Sequence, residues 1–537
     1  MNVMVKHGAL LAGILFASSA PTASAQDSTR SIVKRSAYED LQMFGQVLNQ
    51  IRVNHPDSVD AHELFMAAIA GMIRAADPHS YVIPAMRLVP GKEKAFRDGK
   101  LVPVPVTFAF VDGAPLVVSV AAGSAARQLD ILPGDELVSI DGAPVQSESD
   151  EELSIFLAGP KNSTATLAFE RRRVDGSYAQ LQRAVKRESV EAASAVPVAV
   201  LLDSTTGYAR VTTFMGEKVA DDLHAALDRL ERAGMKRLVL DLRDNGGGSV
   251  AEAARVAGEF LPRGAIVYSA SGRKAEITDT GRVQRSFWRS ERRYPMVVMV
   301  NAGTASASEL VAGALQDHDR ALIVGRPTFG KSLLMRGFPM SDGSVLELVI
   351  GQVRTPCGRV VQREYHNISR RDYYRLARTE RDTVGRPSCR TDGGRTVYGG
   401  GGIYPDVRLS ESQPMPSWLA RIYEQELTLA WSGSYVDARG AAMGTLDAFV
   451  AAGPLPASAL GDFRAFAAKQ GVDVPADADA LLQRALRRSI AYAKWGTEGA
   501  YRVDATLDDA IRQAVAAFGQ ASKLLGPDVS SGKGDSR

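Results

Sequence analysis

The alternation of strand and helix patterns between residues 207 and 325 constrains the fold of this chain more than any other feature. Apolar runs such as RLVLDLR, MVVMVN and ALIVG are separated by amphipathic stretches of helical period such as ADDLHAALDRLERAG and SELVAGALQD. Strands that alternate with helices of this length are typical of βαβ units around a largely parallel sheet. We therefore expect an α/β domain whose functional loops lie at the carboxyl ends of its strands.

The flanking segments have other patterns, and a chain of 537 residues is long enough for several domains. Apolar residues recur at three- and four-residue spacing in 26–95 and 411–525, which predicts helices. Short β-rich runs separated by Gly, Pro and Asp fill 100–190, with only SDEELSIFLAG helical. The chain is thus predicted to be a multidomain α+β protein with helical terminal regions, a small mostly-β module, an α/β core over 195–410 and a polar tail over 526–537.

The first 25 residues have the pattern of a secretory signal. A basic residue, Lys6, precedes an apolar stretch over residues 9–17, and the small residues ASA stand at 23–25. A membrane anchor is the alternative, but the apolar stretch is well short of the roughly 20 residues that span a bilayer. We predict cleavage before Gln26 and a periplasmic or otherwise extracytoplasmic protein without an integral membrane span.

Charge and composition argue against several classes of partner. The 64 basic and 61 acidic side chains are interspersed, and the net charge is only +3. Since no basic block could follow a phosphate backbone, nucleic acid is not expected as a partner. His, Cys and carboxylate residues show no cluster with the spacing of metal ligands, so neither a metal nor an organic cofactor is predicted.

Two serines in NAGTASASEL, Ser306 and Ser308, follow a strand pattern and begin a helical one. A serine hydroxyl needs a base, usually histidine, to become a nucleophile. Among the seven histidines, His318 and His366 lie in the right region, but neither follows a strand beside an acidic partner. Lys331, in GRPTFGKSLL directly after ALIVG, is the other candidate, because burial can lower the pKa of a lysine from about 10.4 towards neutrality.

Backbone amides that could stabilise an oxyanion follow from the same pattern. The amide of Ala307 stands at the entry of the predicted helix, where it has no intrahelical partner. The glycines of DLRDNGGGS, Gly246 to Gly248, end another strand just before a helix. Glycine-rich turns also bind phosphate, but no Walker lysine or complete dinucleotide fingerprint accompanies this one.

Several sequence blocks, which cover roughly residues 79 to 407, resemble those of one family in sequence and in order. They are DPHSYVIP, GSAARQLDILPGDELVSIDGAPV, GYARVTTF, LVLDLRDNGGG, NAGTASASELVAGALQDHDRALIVGRPTFGKS, TPCGRVVQ and GGIYPDV. The chain thereby resembles the carboxyl-terminal processing peptidases, or tail-specific proteases, which are PDZ-containing Ser–Lys serine peptidases. The resemblance implies a PDZ-like domain at 100–190 and a protease core at 195–410.

The resemblance also implies roles for four residues. Ser306 is then the nucleophile and Lys331 the general base, while the backbone amides of Gly248 and Ala307 stabilise the oxyanion. Ser308 becomes a helix-entry cap rather than a second catalyst.

An exported serine endopeptidase is the function that these roles imply. It would cut extended or C-terminal segments of proteins, with the PDZ-like module recruiting or gating the substrate. Protein or peptide substrates are the expected partners, and a homo-oligomer is left open. The alternative is a PDZ-type binding scaffold with weak or lost proteolysis, and a third reading is an esterase or amidase acting on small molecules.

Two positions depart from the family pattern. Many relatives carry glutamine four residues after the lysine, where it helps to hold the base, but this chain has Met335. The PDZ loop that offers amides to a substrate carboxylate reads LVPVPVTF here, and Pro103 and Pro105 have no N–H to donate. The first departure predicts either another group that orients Lys331 or a reduced activity, and the second weakens capture of a free C-terminus.

Cys357 and Cys389 are the two cysteines of the chain. Export would place them in a compartment where a disulfide persists. The sequence does not show whether their Cα atoms come within bridging distance, so a disulfide and two separate thiols are both open.

Overall fold

The structure, a computed structural model, describes most of the chain beyond the predicted signal. The described ranges are 36–83, 92–111, 114–121, 124–145, 150–173, 177–189, 194–285, 291–341, 344–366, 368–379, 382–409 and 415–525. The predicted signal over 1–25 and the polar tail over 526–537 lie outside them. Within the described ranges, no helix is long and apolar enough to cross a membrane.

Residue contacts divide the chain into two compact units, 1–71 and 72–537. The first unit contains helix α1 (Ala37–Asn54), and helix α2 (Ala61–Ala76) follows it in the chain. α1 begins at a capping box: the Ser36 hydroxyl accepts the Glu39 amide, and the Glu39 carboxylate accepts the Ser36 amide. The helical N-terminal region predicted from periodicity is confirmed.

A short strand, β1 (Tyr81–Ile83), lies inside the segment 26–95 that was predicted to be helical. It pairs antiparallel with residues 345–347 of the core. Three residues are too few to show a period of two, so this strand had no recognisable sequence signal.

The small mostly-β module has the predicted composition of strands with one main helix. Its sheet is antiparallel. Its hydrophobic core includes the buried side chains of Val117, Leu137 and Leu167 from the strands and of Leu153 from the helix. The strands lie in the order β2-β3-β4-β6-β7, with β5 paired to β4. The elements are α3 (Lys92–Arg97), β2 (Val106–Val111), β3 (Ala114–Val120), β4 (Glu136–Ile140), β5 (Ala143–Pro144), α4 (Asp150–Leu157), β6 (Thr164–Arg172) and β7 (Tyr178–Lys186).

The core has the predicted alternation of strands and helices around a largely parallel sheet. The six strands lie in the order β19-β14-β13-β10-β9-β8, and only the β8–β9 pair is antiparallel. Its elements and those of the adjoining insertions are β8 (Val198–Leu201), β9 (Thr206–Arg210), α5 (Val219–Arg232), β10 (Arg237–Asp241), α6 (Val250–Ala257), β11 (Ile266–Gly272), β12 (Asp279–Arg282), β13 (Met296–Val300), α7 (Ala307–Asp317), β14 (Leu322–Gly325), β15 (Leu333–Pro339), β16 (Val345–Arg354), α8 (Arg370–Thr379), β17 (Ser388–Arg390), β18 (Thr396–Tyr398) and β19 (Val407–Arg408).

Both faces of this sheet are covered, which explains the continuous apolar runs in its strands. All five residues of β13 are buried. Residues of α5, α6 and α7, such as Leu227, Val256 and Val311, pack against one face.

A second, antiparallel sheet lies in the same unit and was not predicted. Its strands have the order β1-β16-β11-β12, and β15 also pairs with β16. These strands come from segments far apart in the sequence, and most residues of β16 are only half-buried. Neither feature produces a periodic pattern that sequence analysis could assign to one sheet.

The predicted C-terminal helical region contributes to two hydrophobic cores. One cluster surrounds the buried ring of Trp431. The other places Ile511 and Phe518 against the second face of the parallel sheet. The helices are α9 (Ser417–Glu424), α10 (Leu427–Arg439), α11 (Leu446–Ala451), α12 (Ala457–Lys469), α13 (Asp479–Leu507), α14 (Asp509–Ala516) and α15 (Phe518–Leu524).

Candidate active site

Loops from four neighbouring strands meet at the carboxyl edge of the parallel sheet. β14, β13, β10 and β9 are adjacent, and the loops after the first three carry Lys331, Ser306 and the glycine turn respectively. The loop after β9 reaches Phe214, which pairs with Gly248 of that turn. Segments that are more than 100 residues apart in the sequence thus meet at the carboxyl edge of the parallel sheet.

Ser306 occupies the N-cap position directly before α7 and has an unusual backbone conformation. Its φ of 56° and ψ of −118° lie in a region that non-glycine residues rarely adopt. Such a conformation costs about 1 to 3 kcal/mol and persists only where surrounding contacts hold it. It is characteristic of a residue that must present its side chain at a fixed angle.

Ser308 is not the helix-entry cap that sequence analysis expected. α7 begins at Ala307, so Ser308 already lies inside the helix. Its hydroxyl is buried and donates to the backbone oxygen of Asn245 at 2.9 Å. Ser308 therefore connects the helix to the glycine turn.

Asn245 holds the glycine turn against the turn that contains Ser306. The side chain is fully buried, and its amide nitrogen donates to the Val211 backbone oxygen at 3.0 Å. Its side-chain oxygen accepts the Gly247 amide at 3.0 Å, and its backbone oxygen accepts the Ala305 amide at 2.9 Å. One residue thus fixes three strand-end loops relative to each other.

The two predicted oxyanion amides belong to these turns. A methyl group on Gly247 would lie 2.9 Å from the Ala307 nitrogen, and one on Gly248 would lie 2.3 Å from the Phe214 carbonyl carbon. Only glycine permits this approach, and both residues have positive φ. Among the described residues, the amides of Gly248 and Ala307 donate to no other backbone or side-chain group, so both can bind a ligand oxygen.

Lys331 lies in the loop between β14 and β15 and is half-buried. Burial lowers the pKa of its ammonium group, while the nearby carboxylates of Glu309, Asp77 and Glu347 oppose the shift. A lowered pKa increases the fraction of neutral amine, which is the form that can accept a proton.

Glu309 connects the serine to the lysine and was not singled out from the sequence. One of its oxygens, Oε2, accepts both the Ser306 amide at 2.9 Å and the Lys331 amide at 2.8 Å. The other, Oε1, accepts the Gly330 amide at 2.8 Å and the Thr328 hydroxyl at 2.5 Å. The spacing S-x-x-E at the start of α7 is a capping-box signal and could have identified this residue.

The carboxyl group of Glu309 is fully buried. Burial raises its pKa to about 7, and the four donors around it oppose that shift. Because every hydrogen bond of this carboxyl group goes to the loops that carry Ser306 and Lys331, its main structural effect is to set the distance between the Ser306 and Lys331 backbones.

Glu309→Gln is expected to lower kcat/KM by at least about tenfold, because whichever way the amide turns, its NH2 group faces two donors. Thermal unfolding measured beside peptide hydrolysis would separate lost stability from lost activity. A variant with wild-type kcat/KM would contradict the role assigned to this carboxylate.

The two histidines considered as alternative bases lie away from Ser306. His318 is the C-cap of α7, whereas Ser306 is the N-cap of the same 11-residue helix. It does have an acidic partner, Asp392, at 2.7 Å, which sequence analysis did not anticipate. His366 is exposed and interacts with Glu364. Neither histidine is therefore placed to act as a base for Ser306.

The two departures from the family pattern have defined positions. Met335 lies on β15 opposite Val349, directly after a shift in the strand register. In the PDZ-like module, the Val102 amide already donates to the Gly159 backbone oxygen at 2.9 Å. Together with Pro103 and Pro105, this leaves the loop before β2 with few amides for a substrate carboxylate.

Cys357 and Cys389 form a disulfide in the structure, with Cα atoms 6.1 Å apart. The bridge closes the segment 358–388, which contains α8. The only cluster of potential metal ligands among the described residues is this cysteine pair with Asp317. Because both sulfurs are bonded to each other, that cluster is not a metal site.

The sequence models of two known families match parts of this chain. The sequence model of peptidase family S41 matches residues 205–368, and that of the PDZ domain matches residues 116–171. The first match contains all four loops of the site.

Two curated relatives are described as C-terminal processing proteases. The carboxy-terminal-processing protease of Bartonella bacilliformis is 31% identical over 336 residues, covering 61% of this chain and 74% of that protein. The carboxyl-terminal-processing protease of Synechocystis sp. is 34% identical over 245 residues, covering 45% of this chain and 55% of the relative. The matched part therefore spans about three quarters of one relative and about half of the other.

Among solved structures, a photosystem II D1 C-terminal processing protease is similar at 23% identity with a TM-score of 0.34. The match covers 74% of this chain and 92% of that structure.

Proposed function

Because the chain belongs to the carboxyl-terminal processing peptidases of family S41, we propose that it is an exported serine endopeptidase with a Ser–Lys mechanism. Its substrates are extended or C-terminal segments of proteins. One observation carries the proposal: a single oxygen of Glu309 accepts the backbone amides of both Ser306 and Lys331. That contact ties together the backbones of the two residues that bear the hydroxyl and the amine of lowered pKa.

In the first step, the neutral amine of Lys331 removes the proton of the Ser306 hydroxyl while its oxygen attacks the scissile carbonyl carbon. Negative charge develops on the carbonyl oxygen, where the Gly248 and Ala307 amides can donate. The C–N bond then breaks, and the Lys331 ammonium returns the proton to the leaving amine. An ester between Ser306 and the N-terminal fragment remains.

Water completes the reaction. Lys331, neutral again, takes a proton from the water molecule that attacks the ester carbonyl. The oxyanion amides stabilise the second tetrahedral intermediate, and collapse regenerates the Ser306 hydroxyl by transfer of the proton from Lys331. The cycle consumes one water molecule and needs no further reactant.

The PDZ-like module would recruit or gate these substrates. Peptides that bind such modules add a strand to a sheet edge, which requires an unfolded segment. Pro103, Pro105 and the occupied Val102 amide favour recognition of an extended segment over tight binding of a free carboxylate. An attached peptide-binding module also favours protein substrates over small esters.

A binding scaffold with lost catalysis is the competing proposal. Glu309 binds the amides of both Ser306 and Lys331, and Asn245 joins the serine turn to the glycine turn; a scaffold would have no need of these contacts. Met335 is the feature that favours weak activity.

The deciding experiment is to incubate the mature chain with unfolded polypeptides and map the cut sites by mass spectrometry. Internal or C-terminal cuts that disappear in Ser306→Ala would support the peptidase, and intact substrates that nevertheless co-purify with the chain would support the scaffold. N-terminal sequencing of the protein recovered from an exporting host tests the signal, with Gln26 expected as the first residue.

Met335→Gln is expected to leave kcat/KM equal or to raise it by up to about fivefold, the effect of one net hydrogen bond of roughly 1 kcal/mol. The added amide could bind the Lys331 amine, which a thioether does poorly. Met340→Gln, at an exposed methionine just beyond β15, is the matched control. A clear loss of activity in Met335→Gln alone would show that a polar group is harmful at this position.

A further inference from the structure

We propose that Tyr373, carried by the disulfide-closed insertion 358–388, is a positioning residue for Lys331. The inference rests on the proposed role of Lys331 as the base. It concerns how this chain holds that lysine although methionine replaces the glutamine of many relatives.

The hydroxyl of Tyr373 is fully hydrogen-bonded beneath the lysine loop. It donates to the Gly330 backbone oxygen at 3.3 Å, and it accepts the side-chain amide of Gln362 at 3.1 Å. The Nε2 atom of His79 lies 2.9 Å from the same oxygen. A phenol offers one donor and two acceptor positions, and the three groups fill them when His79 carries its proton on Nε2.

These contacts restrain the backbone on both sides of Lys331. On the N-terminal side, the Gly330 oxygen accepts the Tyr373 hydroxyl and the Arg363 amide, and the Gly330 amide donates to Glu309. On the C-terminal side, the Ser332 amide donates to the side-chain oxygen of Gln362 at 3.0 Å. Tyr373 acts on that side through Gln362, and no contact with the amine itself is required.

Ring packing extends the restraint. The ring centroid of Tyr373 lies 5.8 Å from that of Phe329 and 5.1 Å from that of His79, both edge to face. Tyr373 has no exposed surface. Its removal from this cluster would admit water beside the lysine loop and let the loop move.

The disulfide determines where α8, and with it Tyr373, can lie. Cys357 and Cys389 stand on either side of the insertion. The Cys357 amide donates to Asp317 at the C-terminal end of α7, at 3.1 Å. The insertion is thereby fixed at one end of α7, and Tyr373 contacts the lysine loop that Glu309 binds near the other end.

Tyr373→Phe tests the proposal on a fluorogenic peptide taken from a mapped cut site. We expect kcat to fall about ten- to a hundredfold, the scale of a misplacement near 1 Å, with KM unchanged. The rising part of the kcat/KM profile between about pH 5 and 10 should move to higher pH, because a loop without the Tyr373 hydroxyl bonds can move the lysine towards water, where its pKa returns towards the ordinary value. A purely structural tyrosine would change the thermal midpoint and leave this profile in place.

Tyr404→Phe is the matched control, since its hydroxyl donates to the Asp382 backbone oxygen in the same insertion at 3.0 Å. It should retain the wild-type kcat and pH profile. The double variant Cys357→Ser/Cys389→Ser should shift both in the same direction as Tyr373→Phe.

The proposal is overturned if Tyr373→Phe keeps the wild-type kcat and profile, or if Tyr404→Phe changes them equally. Lys331→Ala, measured in parallel, separates this failure from that of the proposed function. Substantial turnover by Lys331→Ala would reject the lysine base itself, whereas an inactive Lys331→Ala beside a normal Tyr373→Phe would reject only the positioning role.

Discussion

Ser306→Ala is expected to abolish peptide hydrolysis, by about 10⁴-fold or more in kcat, because no acyl-enzyme can form without the hydroxyl. The protein should still fold. Ser306 is only half-buried, and it is its backbone amide, which alanine retains, that donates to Glu309. Hydrolysis of unfolded substrate and the circular dichroism spectrum of the variant give the two readouts.

Ser308→Ala serves as the comparison for that result. It removes a buried hydrogen bond to Asn245 at the glycine turn, so a loss much smaller than that of Ser306→Ala is expected. Cleavage by Ser306→Ala at the wild-type rate would exclude a covalent intermediate at this side chain. Equal losses in the two variants would mean that the serines act through structure.

Lys331→Ala is expected to lose about 10²- to 10⁴-fold in kcat, the usual contribution of a general base. Lys331→Arg should be equally inactive, because a guanidinium does not lose its proton in proteins. The two variants separate charge from proton transfer, since arginine keeps the positive charge. Turnover by Lys331→Arg close to that of the wild type would reject lysine as the base.

The wild-type pH dependence follows from the direction of the lysine pKa. Burial lowers it, and only the neutral amine accepts a proton, so kcat/KM should rise with pH through this lowered value and then level off. A profile that falls over the same interval would require a protonated group in its place. Measurement from about pH 5 to 10 covers the range.

Periodicity and motif spacing were sufficient to predict the parallel sheet and the residues at its carboxyl edge. Ser306, Lys331 and the glycine turn each follow a buried strand directly, and strand ends in a βαβ arrangement must meet at one edge. Their proximity therefore follows from the order of strands and helices along the chain, which can be predicted from the sequence.

The contacts that orient these residues were decided only in the tertiary structure. Glu309 and Tyr373 reach Gly330 from 21 and 43 positions away along the chain, and an amphipathic pattern shows that a face is buried without showing what it is buried against. For the same reason, the sequence pattern did not predict the antiparallel sheet or the packing of α14 and α15 on the core. Each depends on segments that become neighbours only after the chain has folded. Sequence thus determined which polar groups follow the strands, and tertiary contacts decided what holds the backbone on both sides of Lys331.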